Sequence, residues 1–219
     1  MAKRNYPDNG YPSVTQVLGV LRKIGLELWF KHHTAAFCDK KSNRGKECGT
    51  QIHEAIQSHI ETNEVKIETQ YAEEVSNALK SFILFKKEHP EITLEKSEME
   101  LTSEIYKYNG TLDVKGKILD IPAIGDWKTS EKKDKEKPQV YDEYIYQTAA
   151  YIKAYNEINK TEIDKGFIVI LAKDAISYNL VLLDKDIIES SFNNAFLPAL
   201  SILNEQKRTK EFIKLQGGK

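Results

Sequence analysis

A chain of 219 residues suits one folded domain, because single cores commonly extend over about 100 to 250 residues. Its 32 basic and 33 acidic side chains leave a net charge of −1, which excludes a bulk positive field and confines any nucleic-acid-binding face to a local patch. With Cys38 and Cys48 its two cysteines, the composition excludes a disulfide framework and a four-cysteine zinc or iron–sulfur site built from this chain alone.

The opening residues 1–4 lead into polar Asn5, Tyr6, Pro7 and Asp8 rather than an apolar signal core, so a reduced cytoplasmic setting is expected. Ser13, Val14, Thr15 and Gln16 fit a capping box, and Val14, Val17, Leu18 and Leu21 form the apolar stripe of the helix that it starts. Over about 44–61, Ile52, Ile56 and Ile60 recur at helical spacing, and over 69–89 the stripe is Tyr71, Val75, Leu79, Phe82 and Phe85, closed by Pro90. Lys40, Lys41, Arg44 and Lys46 offer one basic patch, which reads equally as a solvated face.

Periodicity then changes. Residues 92–103, 110–115 and 123–129 read as strands, with Asn109 and Gly110 marking a tight turn between the first two. A run over 132–137 alternates Lys132, Lys133, Lys135 and Lys137 with Asp134 and Glu136, a second basic candidate or a solvated loop. A helix over about 138–156 follows, then strands over 167–171 and 177–183 turning at Lys173 and Asp174. The apolar run 167–172 is far too short to span a bilayer. Asp184 caps a last helix to about 212, and residues 217–219 read as a frayed tail. The expected organisation is one domain over 1–219, with a helical part over about 12–89, a sheet core over about 90–185 and a C-terminal helix over about 185–212.

The chemistry concentrates in Gly110, Thr111, Leu112 and Asp113, followed at hairpin distance by Gly125, Asp126, Trp127, Lys128, Thr129 and Ser130. If these strands pair about a turn near Leu119 and Asp120, Asp113 and Asp126 fall nearly opposite each other. Residues two apart on a strand share a face, so Asp126 and Lys128 project together while Trp127 turns to the core. Two close carboxylates repel, and one stays protonated at neutral pH unless a cation compensates. Hard oxygen ligands favour Mg²⁺ or Mn²⁺, ions suited to phosphoryl transfer, with Lys128 to orient a water or stabilise the charge on a pentavalent phosphate. The same residues also fit strand-end turns and a surface ion pair. Gln147 and Tyr151 share one face of the helix after the hairpin, where the amide meets a metal-bound water, a phosphate, Lys128 or a purely structural partner. His53, at the edge of the Ile52, Ile56 and Ile60 stripe, is structural or fills one metal position.

Asp113, then Asp126-Trp127-Lys128, then Gln147-Thr148-Ala149-Ala150-Tyr151, preceded by Gly49-Thr50-Gln51-Ile52-His53, resembles the RecB-like exonuclease branch of the PD-(D/E)XK nuclease superfamily. Tyr11-Pro12-Ser13-Val14-Thr15-Gln16-Val17-Leu18, together with Gly110-Thr111-Leu112-Asp113 and Asp126-Trp127-Lys128-Thr129-Ser130, is especially similar to the mitochondrial genome maintenance exonuclease group and its bacteriophage relatives, and the resemblance covers about 11–185. The resemblance implies an α/β (α+β) fold with a restriction-endonuclease-like core, a central mixed sheet flanked by helices, and an N-terminal helical elaboration. It implies that His53, Asp113 and Asp126 bind the metal with the Trp127 carbonyl, that Lys128 is the catalytic lysine, and that Gln147 and Tyr151 support the site and the DNA. Glu98 is the additional acid it ranks first, with Glu100 competing. Ser13, Thr15, Lys132 and Lys133 are candidate substrate contacts, although a plain capping box explains Ser13 equally well.

The activity implied is a Mg²⁺- or Mn²⁺-dependent DNA exonuclease preferring single strands or free ends, in DNA repair, recombination or phage DNA processing. Replication or recombination proteins are the implied partners, and no membrane. A structure-specific endonuclease with the same site, or a non-catalytic DNA-binding recombination module, are the alternatives. Tyr6, Tyr11, Trp29 and Phe30 are available to stack on bases. The cysteines needed for the iron–sulfur cluster of some relatives are missing, so no cluster is expected. The mitochondrial relatives carry a transit peptide whereas this chain begins almost at the first motif, so a bacterial or phage origin is expected.

Overall fold

In the computed structural model, which describes residues 6–65 and 67–217, helix α1 (Val14–Leu18) starts where the capping box places it. Ser13 Oγ accepts the Gln16 N–H at 3.3 Å and Gln16 Oε1 accepts the Ser13 N–H at 2.8 Å. Helix α2 (Ile24–Lys31) left no stripe in the sequence because it buries none of its side chains. Helix α3 (Ala35–Thr62) begins well before its isoleucine stripe, at the Thr34 cap, and ends at Asn63 with φ of 57°, a left-handed stop that asparagine tolerates. Helix α4 (Ala72–Glu88) buries Val75, Phe82 and Phe85. The expected tail over 217–219 lies, except for Gly217, outside the described residues, as do residues 1–5.

Strands β1 (Ile92–Ser103), β2 (Tyr108–Ile118), β3 (Ile121–Ser130), β4 (Gly166–Ala172) and β5 (Tyr178–Leu183) lie side by side in chain order. All neighbours are antiparallel except β3 and β4, whose parallel pairing requires the crossover supplied by helix α5 (Asp142–Asn159). Helix α6 (Lys185–Ser191), a π-helical turn (Phe192–Phe196) and helix α7 (Leu197–Leu215) complete the chain. The result is a mixed α/β fold, a five-stranded mixed sheet flanked by helices, consistent with a restriction-endonuclease-like core. Among the described residues no helix is long and apolar enough to cross a membrane.

Alternation along β4 divides the interior in two. Phe167, Val169 and Leu171 pack with Trp127, Phe82 and Phe85 beneath α3 and α4, whereas Ile168 and Ile170 pack with Leu112, Tyr151 and Phe196 beneath α1, α5 and α7. A strand buried on both faces is apolar throughout, which explains the unbroken run over 167–172.

Asn109 and Gly110 do not form the expected turn. They lie inside β2, and β1 and β2 are joined by residues 104–107 after the Ser103–Tyr108 pair. Glu157 of α5 holds that loop, accepting the N–H groups of Glu104 at 2.7 Å and Ile105 at 2.9 Å. The Asn109 N–H donates to the Pro12 carbonyl at 2.9 Å. Gly110 is small for a different reason, since a Cβ there would lie 2.8 Å from Tyr151 Cε1. The β2–β3 turn does fall at Leu119 and Asp120, whose φ values of 49° and 68° are those of a type I′ hairpin.

Candidate active site

The site forms where the sheet comes apart. β2 and β3 are paired from Ile118–Ile121 up to Val114–Gly125, a register whose next step sets Asp113 opposite Asp126. Pairing stops there, and Asp113 Oδ2 instead accepts the Trp127 N–H at 2.8 Å. Gly125 permits this junction, because a Cβ on it would sit 2.2 Å from Phe167 Cζ and 2.7 Å from Val114 Cγ1.

Two further irregularities coincide with the split. Leu112 packs in the α5-side core and Val114 in the α3-side core, although residues two apart on a regular strand share a face. Across on β1, between the Ser97–Val114 and Met99–Leu112 pairs, Glu98 has φ of 49°, an uncommon backbone for a glutamate. Strain of this kind persists where the surroundings enforce it, often at functional sites.

The notch opens into a cleft of about 490 Å³. One face of α3 lines it with Lys46, Gly49, Thr50, His53 and Gln57, and α5 faces it with Gln147 and Tyr151. Between them stand Glu98, Thr111, Asp113 and Lys128 from the sheet. His53 Nδ1 lies 3.7 Å from Asp113 Oδ1 and 4.0 Å from Glu98 Oε1, and ligand atoms of these three residues fall within 4.8 Å of one another.

Asp126 is wholly buried. It forms an ion pair with Lys128, yet among the described residues neither of its oxygens finds a well-directed hydrogen-bond donor. Burial, opposed by the Lys128 ammonium and reinforced by the Asp113 charge, pushes its carboxyl up to about 7. The sequence ascribed such a rise to repulsion between carboxylates, but removal from water is the larger cause. Tyr151, where Gln147 Nε2 donates to Oη at 2.7 Å, is held far above the usual phenol range, first by burial and then by the Asp126 and Asp113 charges. It therefore stays protonated, and because its oxygen is the acceptor from Gln147, its own proton is available to a ligand.

An imidazole and two carboxylates, with the buried Asp126 carboxylate beside them, form a donor set that fits a hard divalent cation. The imidazole and two of the carboxylates, His53, Glu98 and Asp113, converge in the cleft, while Asp126 lies next to them and faces Lys128. The Trp127 indole enters the α3-side core 5.3 Å from the Phe82 ring.

Ser13 and Thr15 are joined to each other at 3.0 Å in the α1 cap and are not among the residues lining the cleft. Lys132 and Lys133 also lie outside the lining, in a loop whose two N–H groups donate to Asp174 at 2.7 and 2.8 Å. Sequence reasoning read Lys46 only as a patch residue and passed over Gln57. Both lie seven or four positions from His53 on one helical face, the signal that finds them.

No family model matches the chain, and no curated protein matches it. Among solved structures, an alkaline exonuclease from Laribacter hongkongensis is 13% identical, covering 93% of this chain and 95% of its own, with a TM-score of 0.42. The same enzyme in complex with dAMP gives 13% and 0.43 over 94% and 95%. A phage related exonuclease from Haemophilus somnus 129PT gives 13% and 0.40 over 73% and 82%.

Proposed function

We propose that the protein is a metal-dependent deoxyribonuclease of the RecB-like PD-(D/E)XK kind, an exonuclease acting on single-stranded DNA or free ends. The observation that carries this reading is Asp126, a buried carboxylate with a lysine partner, set beside the convergent His53, Glu98 and Asp113 in an open cleft. A structural ion pair has no need of three further metal-ligating groups next to it, whereas phosphodiester hydrolysis does.

Mg²⁺ or Mn²⁺ held by His53, Asp113 and Asp126, with Glu98 and the Trp127 carbonyl as further ligands, would polarise the scissile phosphate and acidify a bound water. The remaining work falls to side chains. The Lys128 ammonium orients the attacking water and offsets charge on the pentavalent phosphate. The Tyr151 hydroxyl donates to a phosphate oxygen, and Gln147 fixes its direction. Lys46, on the α3 wall, meets the DNA backbone as a point charge.

The test is digestion of 5′-labelled, 3′-labelled and circular single-stranded DNA with Mg²⁺, with Mn²⁺ and in chelator. Wild type should degrade linear DNA only with metal, and Asp126→Ala and Lys128→Ala should each lose at least about 100-fold in rate. Cleavage of circles would make it an endonuclease. Binding without cleavage under both metals would reduce it to a binding module and sink the enzyme reading.

A further inference from the structure

We propose that Tyr144 is a positioning residue that holds the Lys128 ammonium against the face of its ring. This rests on the nuclease reading, to which it adds the second partner of the charged lysine.

Lys128 Nζ lies 5.4 Å from the centre of the Tyr144 ring, within the roughly 6 Å over which an aromatic face attracts a cation. Its other partner is Asp126, two residues back on β3. Tyr144, Gln147 and Tyr151 stand at i, i+3 and i+7 on α5 and so share one helical face, from which Gln147 and Tyr151 line the cleft and Tyr144 meets Lys128. The ring is itself fixed, edge to face with Tyr141 at 5.4 Å. The adjacent carboxylate, Glu143, is bound to Lys23 at 2.8 Å.

The choice of an aromatic ring has a physical reason. A second carboxylate in its place would compete with Asp126 and Asp113 for any cation in the site. A ring face attracts the ammonium without supplying a metal ligand, and so keeps Lys128 in place when the Asp126 charge is drawn elsewhere. Burial first, then the neighbouring Tyr141, Glu143 and Asp126, hold the phenol above its usual range, so it stays neutral, and the ring rather than the hydroxyl carries the role.

Replacement of Tyr144 by phenylalanine and then by phenylalanines bearing one, two and three ring fluorines drains charge from the ring face at nearly constant shape. Tyr144→Phe should keep kcat within about two-fold, and each fluorine should lower it, to a total loss of about ten-fold. KM and DNA affinity in chelator should not move. In a Lys128→Ala background the series should be flat. In metal-free protein, acetylation of Lys128 should quicken along the same series.

A flat kcat series with Lys128 present, or a slope that survives its removal, overturns the assignment. Failure of the wild type to cut DNA while Lys128 acetylation still follows ring fluorination overturns the nuclease reading and leaves the ring–ammonium contact standing. Failure of both overturns both.

Discussion

Asp126→Asn should abolish cleavage and yet make the metal-free protein more stable. The wild-type carboxyl ionises near 3.8 when unfolded and at about 7 when folded. The folded state therefore holds the proton more tightly, and the stability this gives is complete below pH 3.8 and lost as pH rises through about 7. At about 1.4 kcal/mol for each pH unit, that span is worth on the order of 4 kcal/mol, the cost at pH 8 of keeping the charge in its buried site. Asparagine removes the charge but leaves a buried amide short of partners, which costs about 1–3 kcal/mol. A net gain of roughly 2 kcal/mol remains, or about 4–8 °C in Tm for a domain of this size.

The assay is thermal and urea denaturation in chelator at pH 5 and pH 8. The variant should lead clearly at pH 8 and lose most or all of that lead at pH 5. Mg²⁺ should raise the wild-type Tm and leave that of the variant nearly unchanged, because an ion that binds only the folded state stabilises it. A variant no more stable than wild type at pH 8, or a lead equal at the two pH values, would refute the view that burial of a charge that Lys128 only partly offsets governs this site.

Gly110→Ala should cost about 1–3 kcal/mol by overpacking and should lower activity as well, since the added methyl displaces the Tyr151 ring; denaturant titration with a parallel rate measurement checks both. Leu119→Asn should raise stability by roughly 0.5–1 kcal/mol without touching activity, because asparagine accepts the positive φ that leucine resists at an exposed turn; an unchanged or lower Tm would show that the turn is unstrained. Glu157→Ala should cost about 1–3 kcal/mol, chiefly because it leaves the buried Ser103 hydroxyl without its charged acceptor, and hydrogen exchange should quicken first in residues 104–107, whose N–H groups at Glu104 and Ile105 lose the same carboxylate.

The strands, their order of type and the turn at Leu119 and Asp120 were legible because alternation and apolar runs report burial directly, as Phe167 to Ala172 does. The neighbourhood of Asp113, Asp126 and Lys128 was legible because strand periodicity fixes which side chains share a face. Asn109 and Gly110 misled, since a local turn signal is indistinguishable from a glycine made necessary by Tyr151, forty-one residues on in the sequence and touching it only in space. Helix α2 was invisible because nothing on it is buried. The parting of β2 from β3, the left-handed backbone of Glu98 and the ring above Lys128 are tertiary events, set by Phe167, Gly125 and α5, and no window of sequence contains them.

The two interiors on opposite faces of the sheet have a consequence for biosynthesis. His53 comes with the α3 side, Gln147 and Tyr151 come with the α5 side, and the carboxylates lie on strands shared by both. A nascent or partly melted chain that has formed either half alone lacks one wall of the cleft, the α3 wall with His53 or the α5 wall with Gln147 and Tyr151. Under the nuclease reading proposed above, the cleft is complete only once both interiors have formed, a safeguard built from topology rather than from an inhibitor.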